Sequence, residues 1–142
     1  MLLVLWGKAL NLLLNLKLIP DMKSSRKILI IEDDKELLYA IKTILSLEGY
    51  DVDTADSVHS GKTKISGSAY DLVITDIMLP YWGGFDLVDA VKENEETNKV
   101  PVIVITGLDE DILKSTITFA DKCITKPFNK RQLLDAVSSL VN

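Results

Sequence analysis

Acidic, hydroxyl and basic side chains follow four apolar segments of this sequence, each at the point where the apolar run ends. They are Glu32, Asp33 and Asp34 after the first run, Asp76 at the end of the third, Thr106 after the fourth and Lys126 after the fifth. Taken singly, an acid in such a place usually caps a helix, a threonine forms a turn and a lysine is solvated. Together they combine carboxylates, a hydroxyl and an ammonium group, which is a much rarer set.

This set of groups suits phosphoryl chemistry. Clustered carboxylates repel one another, so their site favours a divalent cation or a proton. Oxygen-only ligands favour Mg²⁺ over zinc, and Mg²⁺ takes one or two carboxylates together with water and phosphate oxygens. A lysine ammonium and a threonine hydroxyl can both contact a phosphoryl group. We therefore expect Mg²⁺ as cofactor and transfer of a phosphoryl group to Asp76.

The apolar runs alternate with segments of helical periodicity. Five runs are expected to form strands, at residues 27–31, 50–54, 72–76, 101–105 and 122–125, and the first has the composition of a strand covered on both faces. Helical spacing begins near Asp34, Ser57, Phe85, Asp109 and Asn129, with Pro80, Gly83 and Gly84 in a loop and Gly49 as a left-handed cap. This alternation predicts an α/β fold, a doubly wound five-stranded parallel sheet with five helices on its two faces.

In such a sheet, ligands bind beyond the carboxyl ends of the strands, at the switch point of the topology. All of the candidate residues directly follow strands. We therefore expect them to meet at one edge of the sheet.

Composition limits the other functions. The chain has 142 residues, 47% of them hydrophobic and 26% charged, which is typical of one soluble domain and excludes disorder. A formal net charge of -5 argues against nucleic-acid binding through this domain by a general phosphate-attracting surface. The single cysteine, Cys123, fits a reducing, cytoplasmic setting.

The first residues differ from the rest in charge and texture. Residues 1–27 carry five basic groups and one acid, whereas residues 28–142 carry 11 basic and 20 acidic groups. From Leu2 to Ile19 the chain is rich in leucine, and Lys8, Asn11 and Asn15 share one narrow face of a helix that Pro20 ends. We therefore divide the chain into an amphipathic leader, residues 1–25, and a domain, residues 26–142.

The leader has three interpretations. It is too short, and Lys8 too central, for a good membrane span, and it lacks the basic start and cleavage site of a secretory signal. It could anchor the chain in the plane of a membrane, pair with a partner chain as in a homodimer, or be a non-native extension. The last interpretation rests on Met22, which directly precedes an ordinary soluble start.

The domain resembles the receiver domain of two-component response regulators. The resemblance is carried by Ile30-Ile31-Glu32-Asp33-Asp34, Asp76-Ile77-Met78-Leu79-Pro80 with Gly84, Val104-Ile105-Thr106-Gly107 and Lys126-Pro127-Phe128. It keeps motif order and spacing from about residue 26 to residue 142 and implies the flavodoxin-like strand order 2-1-3-4-5. The leader lies outside it.

The resemblance implies a role for each residue of the site. Asp76 would accept a phosphoryl group from a phosphohistidine on a sensor histidine kinase or a histidine phosphotransfer protein. Asp33, Asp76, Glu32 acting through water and the backbone carbonyl of Met78 would hold Mg²⁺. The protein would catalyse its own phosphorylation and slow dephosphorylation without being a conventional turnover enzyme.

The same resemblance implies a switch. Lys126, joined to Pro127 by a cis bond, would pair with the acceptor carboxylate and then with the phosphoryl group. Thr106 would move toward the phosphoryl group and pass a signal to a downstream protein. Where the family usually has tyrosine or phenylalanine, this chain has Cys123, expected in a buried strand, and Gly107 stands where alanine is common. These departures leave the acceptor site whole and put the coupling in doubt.

Two alternatives from other classes are less consistent with the sequence. A phosphatase of the dehalogenase type needs a second aspartate where this chain has Met78, and a flavodoxin needs a hydroxyl-rich loop where it has acids. A degenerate receiver that only binds proteins is a stronger rival, since Cys123 departs from the family pattern. The chain ends at its last helix, so we expect a stand-alone receiver or one excised from a longer protein.

Overall fold

The structure, a computed structural model, describes residues 2–15, 25–116 and 120–142. The strands are β1 (Lys27–Ile31), β2 (Asp51–Ala55), β3 (Leu72–Asp76), β4 (Val102–Thr106) and β5 (Lys122–Thr125). The helices are α1 (Leu2–Asn15), α2 (Lys35–Leu47), α3 (Val58–Gly67), α4 (Gly83–Glu93), α5 (Glu110–Thr116) and α6 (Lys130–Val141), and a 3-10 turn, Pro80–Trp82, directly precedes α4.

The five strands form one parallel sheet in the order β2-β1-β3-β4-β5, as predicted. Side chains alternate between two apolar cores, because successive residues of a strand point to opposite faces. On one face Ile28 and Ile30 pack with residues of α2 and α6. On the other face Leu29 and Ile31 pack with residues of α4. The sheet is thus covered on both faces, which explains why its central strands are mostly apolar.

Local signals in the sequence set the ends of several helices. Asp34 caps α2 by accepting the backbone N–H groups of Glu36 and Leu37, and Ser57 caps α3 in the same manner. Asn129 and Gln132 form a reciprocal capping box at the start of α6. After α2, Gly49 adopts a φ of 91°, a conformation that favours glycine. These caps confirm the helix starts and the left-handed turn that the sequence predicts.

The structure also corrects some boundaries. Strands β2 and β4 begin one residue later than expected, and Gly83 and Gly84 lie in the first turn of α4 rather than in a loop. The predicted end of the leader helix, at residues 16–19, lies outside the described residues, as do Pro20 and Met22.

The expectation that Cys123 is buried was wrong, because its side chain is exposed. Strand β5 lies at the edge of the sheet, and only Ile124 of its four residues is buried. Cys123 points to the opposite face from Ile124. There it lines a cavity of about 210 Å³ with Leu113 and Lys114 of α5.

Candidate functional site

The buried polar side chains of the described part of the chain gather at the carboxyl edge of the sheet. They are Glu32, Thr75, Asp76 and Thr106. They lie at or directly after the ends of β1, β3 and β4, which are neighbours in the sheet. Burial of a polar group costs free energy unless it is paired, so this concentration marks a site rather than ordinary packing.

Asp76 is the centre of this site. It ends β3 and is only 4% exposed. One carboxylate oxygen, Oδ2, lies 2.6 Å from the Nζ of Lys126. The other, Oδ1, accepts the backbone N–H of Met78 at 2.7 Å. Both oxygens are therefore held in place by donors.

Glu32 is a second buried carboxylate beside the same lysine. Its Oε2 lies 3.2 Å from Lys126 Nζ, and its Oε1 accepts the backbone N–H of Asp34 at 3.1 Å. Burial raises the pKa of Glu32 to about 7; the Asp34 N–H opposes this rise, the charge of Asp76 adds to it and that of Lys126 opposes it. The two buried carboxylates, Glu32 and Asp76, therefore share the ammonium group of Lys126 as their positive partner.

Lys126 reaches both acids from the end of β5. Its backbone N–H donates to the carbonyl of Thr106 at 2.8 Å, and its bond to Pro127 is cis, as expected. Burial alone would lower the pKa of Lys126, but the hydrogen bond and charge of Asp76, together with Glu32, outweigh this and raise it. The lysine is therefore held in its charged form beside the two carboxylates.

The donor set beside Asp76 fits a magnesium ion. Glu32, Asp33 and Asp76 each offer a carboxylate oxygen, and these three oxygens lie within 4.8 Å of one another. Asp33 is exposed, so the cluster opens to solvent. All three donors are hard oxygen ligands, which Mg²⁺ prefers. Asp34, the third acid of the sequence cluster, has its carboxylate at the N-terminus of α2 as a cap.

Thr106 lies beside this site at the end of β4, fully buried. The register of the sheet pairs Asp76 with Ile105, the residue directly before Thr106. Its hydroxyl oxygen accepts the backbone N–H of Leu108 at 3.3 Å. The hydroxyl therefore holds the following loop, and any movement of the side chain would change that loop.

Sequence reasoning did not anticipate the contact that Gly84 makes with Asp76. A Cβ atom on Gly84 would lie 2.1 Å from the backbone oxygen of Asp76 and 2.5 Å from the Cα of Ile77. Since both contacts are with backbone, helix α4 can approach the acceptor loop only with glycine here. The only hint of this contact in the sequence was the pair Gly83-Gly84, shortly after Asp76.

The same loop presents an aromatic residue to solvent. Tyr81 is 99% exposed and has a φ of 59°, a conformation that non-glycine residues seldom adopt. Its exposure excludes a role in packing. His59 on α3 is also exposed and lies outside the cluster.

Two known proteins are similar to this chain in sequence. The transcriptional regulatory protein CpxR homologue of Haemophilus influenzae is 36% identical over 117 residues, which are 81% of this chain and 50% of the relative. Protein PilG of Pseudomonas aeruginosa is 32% identical over 117 residues, which are 81% of this chain and 87% of PilG. The chain spans about half the length of the first of these relatives and most of the second.

Solved structures have the same fold. A receiver domain protein of Methanospirillum hungatei superposes with a TM-score of 0.74 at 33% identity, covering 82% of this chain and 93% of that one. The response regulator TrrA of Thermotoga maritima, solved in complex with Mg²⁺ and BeF, has a TM-score of 0.73 at 27% identity, covering 81% of this chain and 98% of that one.

The family described as response regulator receiver domain matches residues 28–138. Those residues contain β2 to β5, all of β1 except Lys27 and the whole acidic cluster. The match, the relatives and the shared strand order agree, and the chain therefore belongs to the receiver domain family of two-component response regulators.

Proposed function

We propose that this protein accepts a phosphoryl group on Asp76 from a phosphohistidine and signals through the resulting change at Thr106. The observation that carries the proposal is the position of Lys126, whose Nζ lies 2.6 Å from Asp76 and 3.2 Å from Glu32. An acceptor carboxylate needs a nearby cation that can remain in contact with the phosphoryl group after transfer. Lys126 would make both contacts.

In the transfer, an oxygen of Asp76 would form a bond to phosphorus while the bond from phosphorus to the imidazole nitrogen breaks. The leaving imidazole takes up a proton. The N–H of Met78 holds Oδ1, so Asp76 is oriented before the phosphodonor arrives. Magnesium held by Glu32 through water, Asp33, Asp76 and the carbonyl of Met78 would neutralise negative charge on the phosphoryl group.

The signal would begin at Thr106. Its hydroxyl, which accepts the N–H of Leu108, would turn to donate its own proton to a phosphoryl oxygen, and this movement would shift the loop after β4. The change would reach the surface of α5 and β5, where exposed Cys123 replaces the usual aromatic side chain. A side chain this small has no ring to swing inward, so we assign the readout to the loop and α5.

The partners in this proposal are proteins. A sensor histidine kinase or a histidine phosphotransfer protein would supply the phosphoryl group, and a downstream protein would recognise the phosphorylated form. The proposal assigns no nucleic acid to this domain, in keeping with 20 acidic against 11 basic groups in residues 28–142. It also places this chemistry in the cytoplasm, as the lone cysteine suggests.

Phosphorylation by a small donor tests the proposal without the partner kinase. We expect the intact mass to rise by one phosphate after incubation with an acyl phosphate and Mg²⁺, and to stay unchanged when EDTA replaces Mg²⁺. Equal labelling under both conditions would contradict the metal assignment. No labelling under either condition would favour the alternative, a degenerate receiver that binds proteins independently of phosphorylation and that Cys123 motivates.

Once formed, the phosphorylated protein is expected to lose its phosphate slowly. Met78 and Leu108 lie two residues beyond Asp76 and Thr106, and neither has a polar side chain that could position an attacking water. Because Met78 is 49% exposed, Met78→Asn can present an amide there while keeping the backbone carbonyl. We expect it to speed loss of the phosphate about tenfold, about 1.4 kcal/mol off the barrier.

Tyr81→Asn is the matched control, because it adds the same amide at an exposed position of the same loop. Its dephosphorylation rate should equal that of the wild type when the decay of the phosphorylated mass is followed in Mg²⁺. A wild-type phosphate lifetime of only seconds would contradict this prediction.

A further inference from the structure

Helix α1 has the least buried surface of the described helices. Every side chain described in Leu2–Asn15 is exposed. The exposed fractions reach 87% for Leu3, 71% for Trp6 and 59% for Leu12. Leaving so many large apolar side chains in water is unfavourable, so α1 has a surface that something outside the domain covers.

The apolar surface of α1 is wide. At about 100° per residue, Leu12, Leu13, Trp6 and Leu3 spread over an arc of about 180°. The polar side chains of Lys8, Asn11 and Asn15 share an arc of about 60° on the opposite side, which also holds Val4. The apolar surface thus covers about half of the circumference.

The width of this apolar arc distinguishes a second helix from a membrane surface as the binding partner of α1. Two paired helices bury only a narrow seam of positions repeating every 3.5 residues on average. A helix of 14 residues, about 21 Å long, would keep most of its leucines exposed in such a pair. A membrane interface covers the whole apolar side of a helix lying in its plane. No helix of the described residues is long and apolar enough to cross a membrane, so α1 would lie along the surface.

Charge identifies the kind of membrane. Helix α1 contains no acid, and Lys8 lies on its polar face. The leader, residues 1–25, carries three basic groups and one acid, whereas residues 26–142 have an excess of seven negative charges. Anionic lipid headgroups attract basic segments and repel acidic surfaces. The leader would therefore approach such a membrane while the acidic domain stays in water.

We propose that α1 binds in the plane of an anionic lipid surface and tethers the receiver domain there. The tether would restrict the domain to phosphodonors and targets at that membrane. The inference is independent of the phosphoryl chemistry, because α1 contributes no group to the acceptor site.

Vesicle flotation of the full chain tests the proposal, using phosphatidylcholine alone and phosphatidylcholine mixed with phosphatidylglycerol. We expect binding to the mixed vesicles only, weakened by salt. Leu13→Glu should lower the bound fraction at least tenfold, since Leu13 lies near the centre of the apolar arc. Leu47→Glu is the matched control, because Leu47 is 78% exposed on α2 and the added charge is the same. It should bind as the wild type does.

Fluorescence gives an independent readout. The chain has two tryptophans, so Trp82→Phe leaves Trp6 as the only reporter. Its emission should shift to the blue on mixed vesicles, as expected for a ring entering the interface.

Other outcomes would overturn the proposal. Equal binding to both vesicle types would reject the charge argument. Absence of binding, together with a dimer in analytical ultracentrifugation that Leu13→Glu dissociates, would assign α1 to a second copy of the chain. If the chain is monomeric and binds neither vesicle type, the proposal that α1 tethers the domain to a membrane is rejected. Phosphorylation by an acyl phosphate should be equal in all of these variants and reports that the domain remains folded.

Discussion

Replacing Asp76 by asparagine is expected to abolish phosphorylation by an acyl phosphate. An amide oxygen is a far weaker nucleophile than a carboxylate oxygen, and the amide cannot form the acyl phosphate bond. Intact mass after incubation with the donor and Mg²⁺ should show one added phosphate for the wild type and none for Asp76→Asn.

Asp76→Asn should remain folded, so its failure to gain a phosphate would report on the chemistry of residue 76 and not on unfolding. Asp76 is one of two buried acids that share Lys126, and its charge helps to raise the pKa of Glu32. Removing that charge therefore relieves repulsion, and Lys126 keeps Glu32 as its partner. Asp89→Asn is the control, because Asp89 is an exposed acid on nearby α4. If Asp76→Asn and Asp89→Asn gain phosphate equally, another residue is the acceptor.

Gly84→Ala is expected to have the largest effect on stability of the substitutions considered. The added methyl group would lie 2.1 Å from the Asp76 carbonyl oxygen and 2.5 Å from Ile77 Cα. Both atoms belong to the backbone at the end of β3, so the conflict can be relieved only by moving α4 or the acceptor loop. Overpacking that forces the backbone to shift typically costs about 1–3 kcal/mol and occasionally more.

Urea unfolding measures that loss, and Gly107→Ala provides the matched control. A Cβ on Gly107 would have no heavy atom within 4 Å, and Gly107 also follows a strand at the carboxyl edge of the sheet. Its free energy of unfolding should stay within about 0.5 kcal/mol of the wild type. Phosphorylation of Gly84→Ala should also be slower, since Asp76 would be displaced. Equal stability of the two variants would show that α4 does not depend on glycine at this contact.

Much of the fold followed from local patterns. The β-branched runs at 27–31 and 72–76 predicted central strands, and the caps at Asp34 and Asn129 predicted helix starts, because both signals depend on neighbouring residues. The boundaries of the helices and strands were predicted less accurately. Gly83 and Gly84 were expected in a loop, yet they begin α4, because α4 packs so closely that a Cβ on Gly83 would meet Val58 of α3 and a Cβ on Gly84 the backbone of Asp76.

The candidate site was predictable as a set of residue types and less so as an arrangement. Three consecutive acids follow β1, and sequence alone does not separate their roles. In the structure Glu32 turns inward to Lys126, Asp33 remains exposed in the acidic cluster and Asp34 caps α2. Consecutive acids in this turn therefore point in different directions, and the backbone conformation after β1 sets the direction of each side chain.

Residue types and their spacing were enough to predict the alternation of strands and helices, the carboxylate, hydroxyl and ammonium groups at strand ends, and the amphipathic character of the leader. These properties can be read along the chain. Three features became visible only in the folded chain: one ammonium group bridges Asp76 and Glu32, Gly84 touches the acceptor backbone, and Cys123 is exposed. Each depends on distances between segments far apart in sequence, which the packing of helices on the sheet sets.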